Sequence, residues 1–231
     1  MSIAENIAQV RTNIAQACAQ AGRSPEEITL VGASKMNDAA ACREAIAAGI
    51  DALGENRVQE MTAKLADKAY DGAPLHFIGH LQRNKVKQVV GKVALIQSVG
   101  SMELLEEIEK VAAREQLVQD ILLEVNIGRE EAKSGFDPDA VTAAAEAALS
   151  LPHVRVRGLM TIPPADADRD ANMRYFQEVQ ALYVDINAKL FHNELKCLSM
   201  GMSGDYMDAI RCGATMVRVG TAIFGARNYN I

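Results

Sequence analysis

Lys35 closes the apolar run Ile28-Thr29-Leu30-Val31-Gly32-Ala33-Ser34. A lysine partly desolvated at the end of a buried strand loses basicity and becomes the nucleophilic amine that a Schiff base requires. A strand-end lysine more often snorkels to water, so the amine gains meaning only if a carbonyl partner has somewhere to bind. Met200-Gly201-Met202-Ser203-Gly204-Asp205 offers two glycines, a hydroxyl and the start of a short helix, and Val219-Gly220-Thr221-Ala222 offers a second such turn. Backbone N–H groups at a helix start, joined by Ser and Thr hydroxyls, are phosphate ligands. Either turn alone is weak, because glycine often marks only a tight turn; the pair carries more weight. Arg218 alternates with Val217 and Val219, so if the valines face outward its guanidinium points into the interior. There it needs a carboxylate such as Glu124 or Asp205, a carbonyl, or a ligand acceptor. Lysine, phosphate cradle and buried arginine together describe a site for a phosphorylated aldehyde.

The elements that would carry these side chains can be counted. Apolar, β-branched runs occur at Ile28 to Ser34, Asp51 to Leu53, Leu75 to Gly79, Val93 to Val99, Ile121 to Ile127, Val154 to Ile162, Lys196 to Met200 and Met216 to Gly220. Helical patterns lie between them. Asp38 to Ala48 ends in Gly49, Val58, Met61 and Leu65 share a face, and Ser101 precedes Leu104, Ile108 and Val111. Asp137-Pro138 reads as an N-cap followed by Pro at the first helical position. Phe176, Val179, Tyr183, Ile186 and Leu190 define a long helix. Ahead of them all, Ile3, Ile7, Val10, Ile14 and Cys18 repeat at the helical period behind a Ser2/Glu5 capping box, up to Gly22. Strands buried on both faces and separated by helices pair in parallel, and eight such units in a chain of 231 residues fit a closed (β/α)8 barrel with an extra N-terminal helix. A doubly wound open sheet is the alternative.

Active sites of such barrels sit beyond the C-terminal ends of the strands. That rule adds Glu55 and Asn56, His80, Asn126 with Lys133-Ser134-Gly135, and Met160 with Thr161 to the residues above. No linker or composition break divides the chain, so residues 1–231 are expected to form one domain. The charge of -6, from 30 acidic and 24 basic residues spread along the length, disfavours a nucleic-acid partner. No apolar run approaches the roughly 18 residues of a membrane span, and the expected compartment is the cytoplasm. Cys18, Cys42, Cys197 and Cys212 lack metal-ligand spacing and read as buried, reduced thiols. Arg83, Lys85, Lys87 and Lys92 read as a solvated face, with Arg83 or Lys85 able to face an anion at the barrel mouth. His76 and His80 read as structural, hydrogen-bonded histidines, and Met160, Met200 and Met202 as packing residues near the strand ends.

The sequence resembles a known family. The matching segments are Val31-Gly32-Ala33-Ser34-Lys35, Gly54-Glu55-Asn56-Arg57-Val58-Gln59-Glu60, His76-Phe77-Ile78-Gly79-His80-Leu81-Gln82-Arg83-Asn84-Lys85, Lys133-Ser134-Gly135-Phe136, Arg157-Gly158-Leu159-Met160-Thr161-Ile162-Pro163, Leu198-Ser199-Met200-Gly201-Met202-Ser203 and Met216-Val217-Arg218-Val219-Gly220-Thr221-Ala222-Ile223-Phe224-Gly225. In that order they resemble the pyridoxal 5′-phosphate (PLP) homeostasis proteins, the YggS-like group, whose fold is that of the barrel domain of alanine racemase. The resemblance implies PLP held as a Schiff base on Lys35, its phosphate on Ser203, Gly220 and Thr221, its pyridine nitrogen at Arg218, and its ring lined by Asn56 and Met160. Two positions depart: Gly32 stands where a bulkier aliphatic is common, and Gly204 follows the serine of the phosphate loop where a larger polar residue is frequent.

Three functions compete on this reading. A PLP carrier ranks first, with PLP-requiring apoenzymes as candidate recipients. A PLP-dependent amino-acid racemase-like enzyme ranks second, because two-base chemistry needs a second acid/base. In alanine racemase-like enzymes a tyrosine of a separate β domain supplies it, and here the sequence stops at Ile231, just after the eighth strand. A Schiff-base aldolase using Lys35 without a cofactor ranks third. An open mouth also leaves the cofactor facing water, which weakens catalytic electrostatics, so no efficient turnover and no catalytic residue are expected.

Overall fold

The computed structural model describes residues 1–225; Ile231, on which the expectation of an absent second domain rests, lies outside them. Helix α1 (Ile3–Gln20) starts at the capping box expected from the sequence, with Ser2 Oγ accepting from Glu5 N and the Glu5 carboxylate accepting from Ser2 N. Its buried stripe includes Ile7, Val10, Ile14 and Cys18. Eight strands follow: β1 (Thr29–Ala33), β2 (Ala52–Glu55), β3 (Leu75–Phe77), β4 (Leu95–Val99), β5 (Gln119–Val125), β6 (Val154–Thr161), β7 (Cys197–Ser199) and β8 (Met216–Val219). Between and after them run α2 (Ala39–Ala47), α3 (Val58–Ala66), α4 (Met102–Arg114), α5 (Val141–Ala148), α6 (Arg169–Leu190), α7 (Tyr206–Arg211) and α8 (Thr221–Phe224). Each strand pairs in parallel with the next, and β8 returns to β1, so the sheet closes into a barrel and the open-sheet alternative falls.

Strand alternation sorts the apolar residues into two cores. Val31, Ala52, Leu95, Leu122, Met160 and Met216 fill the barrel interior. Their strand neighbours, among them Leu30, Leu53, Ile96, Ile121, Leu123, Val217 and Val219, pack outward against the helices. Val217 and Val219 therefore do face the helices, and Arg218 points inward. Two glycines mark places where backbones meet. A Cβ on Gly158 would lie 1.7 Å from Cys197 O across the β6–β7 seam, and one on Gly79 would lie 2.3 Å from Asn56 O. At Gly32 a Cβ would press on Leu53 and Ile50 at 3.3 to 3.4 Å, whereas at Gly204 it would enter open space.

Two expectations need correction. Asp137 does not cap α5. Its carboxylate accepts from Asp139 N, closing a turn over Pro138 to Ala140, and the helix begins only at Val141. Met202 is 40% exposed and does not pack, while Met160 and Met200 are fully buried. The segment between β3 and β4 is a 3-10 helix, Arg83–Gln88, whose Arg83 and Lys87 are exposed as a solvated face should be. Cys18, Cys42 and Cys212 are buried and Cys197 partly so, all as free thiols.

Candidate active site at the barrel mouth

The β1–β8 register, Gly32 opposite Val219, brings the turn after β1 beside the turn after β8. Gly220 lies against the end of β1, since a Cβ there would meet Ala33 O at 3.4 Å. Lys35, half-buried, thus leaves the barrel next to Gly220 and Thr221. The β7 turn joins them. Gly201, at φ 91, packs its Cα against Tyr206 and Ala209 too closely for any side chain, and its carbonyl accepts from Arg218 N. Asp205 Oδ1 accepts from Met202 N and shapes the turn. Ser203 Oγ then accepts from Gly220 N at 3.1 Å and Ala222 N at 3.4 Å. Hydroxyl and amides so converge on one point at the start of α8, and the hydroxyl keeps its own proton for donation.

Arg218, 3% exposed, donates to Ser199 Oγ and, at 2.8 Å, to Thr161 O. Glu124 and Asp205, the carboxylates expected to pair with it, make no ion pair with it among the described residues; they act through their charge. Burial lowers the guanidinium and those carboxylates partly offset it, leaving it at about 10, so it stays charged at neutral pH. Burial in turn raises the Glu124 carboxyl, against the pull of Ser134 and Arg218. Asn56 lines an adjoining cleft of about 620 Å³ with Ile78, Gly79, His80, Glu124, Asn126, Lys133 and Ser134. The Asn56 Oδ1 atom is buried and has no hydrogen-bond partner among the described residues. Met160 lies in the apolar layer of the interior. The structure therefore gathers Lys35, Ser203, Arg218, Gly220 and Thr221 on one side of the mouth, with Asn56 lining the cleft beside them.

Below Arg218 the bonds continue. Ser199 Oγ donates to Gln97 Oε1 at 2.7 Å, and Gln97 Nε2 donates to His76 Nδ1 at 3.0 Å. His76 Nδ1 must be unprotonated to accept, and burial pushes the ring down to about 4. His76 is thus the structural histidine expected, whereas His80 is exposed on the rim. The depressed value fixes a sign. Between about pH 6.5 and 4 the unfolded chain binds a proton that the folded chain refuses, so stability falls as pH drops through that window, by about 3 kcal/mol in all. Urea unfolding at pH 7 and pH 4 should show His76→Gln, which can still accept from Gln97, losing less stability on acidification than the wild type. Equal losses would mean that His76 takes up its proton in the folded state.

Sequence reasoning missed the support behind Lys35. Glu55, fully buried, accepts at Oε1 from Ser34 Oγ (2.7 Å), Lys64 Nζ (2.7 Å) and Tyr70 OH (3.0 Å). Burial works against the charge on Lys64, and the adjacent Glu55 and Glu60 carboxylates more than offset it, holding its pKa above the ordinary lysine value. The Glu60/Lys64 spacing of four on one helix face was a visible signal; its burial was not. Gln97 and Ser199 were missed for the same reason, being short polar residues inside apolar strands.

The closed parallel barrel is a fold shared with alanine racemase. The family model described as alanine racemase, N-terminal domain, matches residues 6–228. Curated relatives include the pyridoxal phosphate homeostasis proteins of Aquifex aeolicus, 42% identical over 229 residues and covering 99% of this chain and 100% of that one, and of Pseudomonas aeruginosa, 41% identical over 228 residues with 99% and 97% covered. Among solved structures, PipY of Synechococcus elongatus PCC7942 with PLP bound superposes with a TM-score of 0.84 at 33% identity, covering 97% of this chain and 100% of that one. Alanine racemase of Clostridium difficile 630 shares the fold, with a TM-score of 0.73 at 17% identity over 99% of this chain and 58% of its own. The chain belongs to the pyridoxal phosphate homeostasis protein family, within the alanine racemase N-terminal domain group.

Proposed function

We propose that this protein is a PLP carrier in intracellular PLP homeostasis, holding the cofactor as a Schiff base on Lys35 in one barrel domain and handing it to PLP-requiring apoenzymes. The observation that supports this most is the junction of the β7 and β8 turns, where Ser203 Oγ and the Gly220 and Ala222 amides meet beside the strand that delivers Lys35. The donor set fits the group. Ser203 and Thr221 hydroxyls would hold the phosphate, and the Gly220 amide would join them by exchanging its bond to Ser203 Oγ for a phosphate oxygen, since backbone N–H groups and hydroxyls are its natural ligands. Arg218 would face the pyridine nitrogen and Asn56 and Met160 the ring, with the orphaned Asn56 Oδ1 as a spare acceptor at the ring edge. When bound, PLP supplies an aldehyde for a primary amine and a ring that can withdraw electrons.

The residues favour carriage over turnover. Arginine has only protons to donate, so Arg218 leaves the ring nitrogen an acceptor, and a neutral ring is a poor electron sink. The names of the relatives point the same way: they are homeostasis proteins. Borohydride reduction of the PLP-loaded chain should fix the cofactor to the peptide carrying Lys35. The same loaded protein should neither racemise nor transaminate alanine or serine faster than free PLP. Trapping on a different lysine would sink the site assignment, and turnover near the roughly 10 per second of ordinary enzymes would reverse the ranking.

A further inference from the structure

The turn that carries Lys35 is held from behind by three side chains set back from the mouth, Glu55, Glu60 and Lys64. Lys64 Nζ donates to Ser34 O at 2.8 Å, to Glu55 Oε1 at 2.7 Å and to Glu60 Oε1 at 2.8 Å. Glu60 Oε1 also accepts from Met36 N at 2.5 Å, and Ser34 Oγ donates to Glu55 Oε1. The residue before Lys35 is thus gripped through its carbonyl and hydroxyl, and the residue after it through its amide. Met36 needs the grip, because its φ of 60 puts a long side chain in the left-handed region that non-glycine residues seldom occupy. An exposed methionine gains nothing from that conformation by packing; Met36 is 40% exposed. Asn37 Nδ2 donates to Lys35 O and completes the turn.

We propose that Glu60, backed by the Lys64–Glu55 pair, is the positioning residue of the Lys35 amine: it fixes the left-handed Met36 turn and so sets where the amine stands at the mouth. This rests on the reading that Lys35 carries PLP. Glu60 is the place to test it, because it lies at the edge of the cluster, with its side chain 21% exposed, and its removal leaves Lys64 paired with Glu55. A role limited to stability would weaken every ligand alike. A positioning role touches only the step that uses the amine.

The test compares Glu60→Ala, which loses the acceptor for Met36 N, with Glu60→Gln, which keeps one. Two probes are used: PLP, and pyridoxine 5′-phosphate, which has an alcohol where PLP has the aldehyde. Glu60→Ala should slow the formation of borohydride-trappable PLP by about tenfold, equivalent to about 1.4 kcal/mol, and leave the affinity for pyridoxine 5′-phosphate unchanged. Glu60→Gln should restore most of the trapping rate. Equal losses for both probes in Glu60→Ala, or no rescue by Gln, would overturn the proposal. Acetylation of Lys35 in the ligand-free chain, relative to exposed Lys87, gives a second readout. That ratio should change severalfold in Glu60→Ala and return in Glu60→Gln; an unchanged ratio also overturns the proposal. If wild-type PLP is trapped on another lysine, the carrier reading of Lys35 fails, and the acetylation ratio alone then decides the role of Glu60.

Discussion

The Schiff base proposed on Lys35 should give the loaded protein a violet-absorbing band, and Lys35→Ala is expected to abolish that band and all borohydride-trappable PLP, while leaving weaker, phosphate-dependent binding behind. The turn around Lys35 is held through Ser34 O, Met36 N and the Asn37 amide on Lys35 O, contacts that do not use the lysine side chain and remain in the variant. Ser203, Gly220 and Thr221 follow other strands and stay in place. The residual affinity should therefore depend on the phosphate: Ser203→Ala added to Lys35→Ala should cost a further ~1.5 to 3 kcal/mol for PLP, the worth of a hydrogen bond to a charged group. Pyridoxal, without a phosphate, should not register that second change. Absorbance titration of the two variants with both ligands measures the whole set. A persisting band in Lys35→Ala would remove the central assignment.

Lys64→Met should lower the unfolding free energy by about 3 to 5 kcal/mol, the cost of breaking a buried ion pair from one side. Lys64 is 6% exposed and Glu55 is 0% exposed. Without the ammonium, Glu55 keeps the Ser34 and Tyr70 hydroxyls, and among the described residues its Oε2 has no hydrogen-bond partner. Glu55→Gln on the Lys64→Met background removes the stranded charge and should recover part of the loss, because the pair's desolvation penalty disappears with it. Urea unfolding near neutral pH reads both. A loss below about 1 kcal/mol, the range of exposed pairs, would show that water reaches Glu55 in the folded protein.

The barrel was legible because each strand run is bounded by a helix signal and is apolar on both faces; Met216-Val217-Arg218-Val219 shows how far that reading goes. Alternation placed the two valines outward and Arg218 inward, and the structure agrees. Alternation could not say what Arg218 meets, since Ser199 and Thr161 lie 19 and 57 residues away in sequence. The N-cap at Ser101 was legible for the same local reason as the one at Ser2. Asp137 misled because Asp-Pro opens a turn and a helix with the same chemistry, and only the three residues that follow decide between them. Lys64 was invisible in its role: in sequence it is one more helix lysine, and only the packing of α3 on the Lys35 turn makes it a buried cation.

The hydrogen-bond file from Arg218 through Ser199 and Gln97 to His76 also constrains how this barrel can drift. The donations all run one way and end on the accepting His76 ring, so each donor fixes the chemistry permitted to the next. An apolar replacement at Gln97 strands Ser199 above and His76 below, and a second change at either position then becomes easier than the first. Substitution effects at these sites should be strongly epistatic, as expected of side chains in one polar network. The four positions, on β3, β4, β7 and β8, therefore change as a single unit although they are scattered between His76 and Arg218 in the sequence.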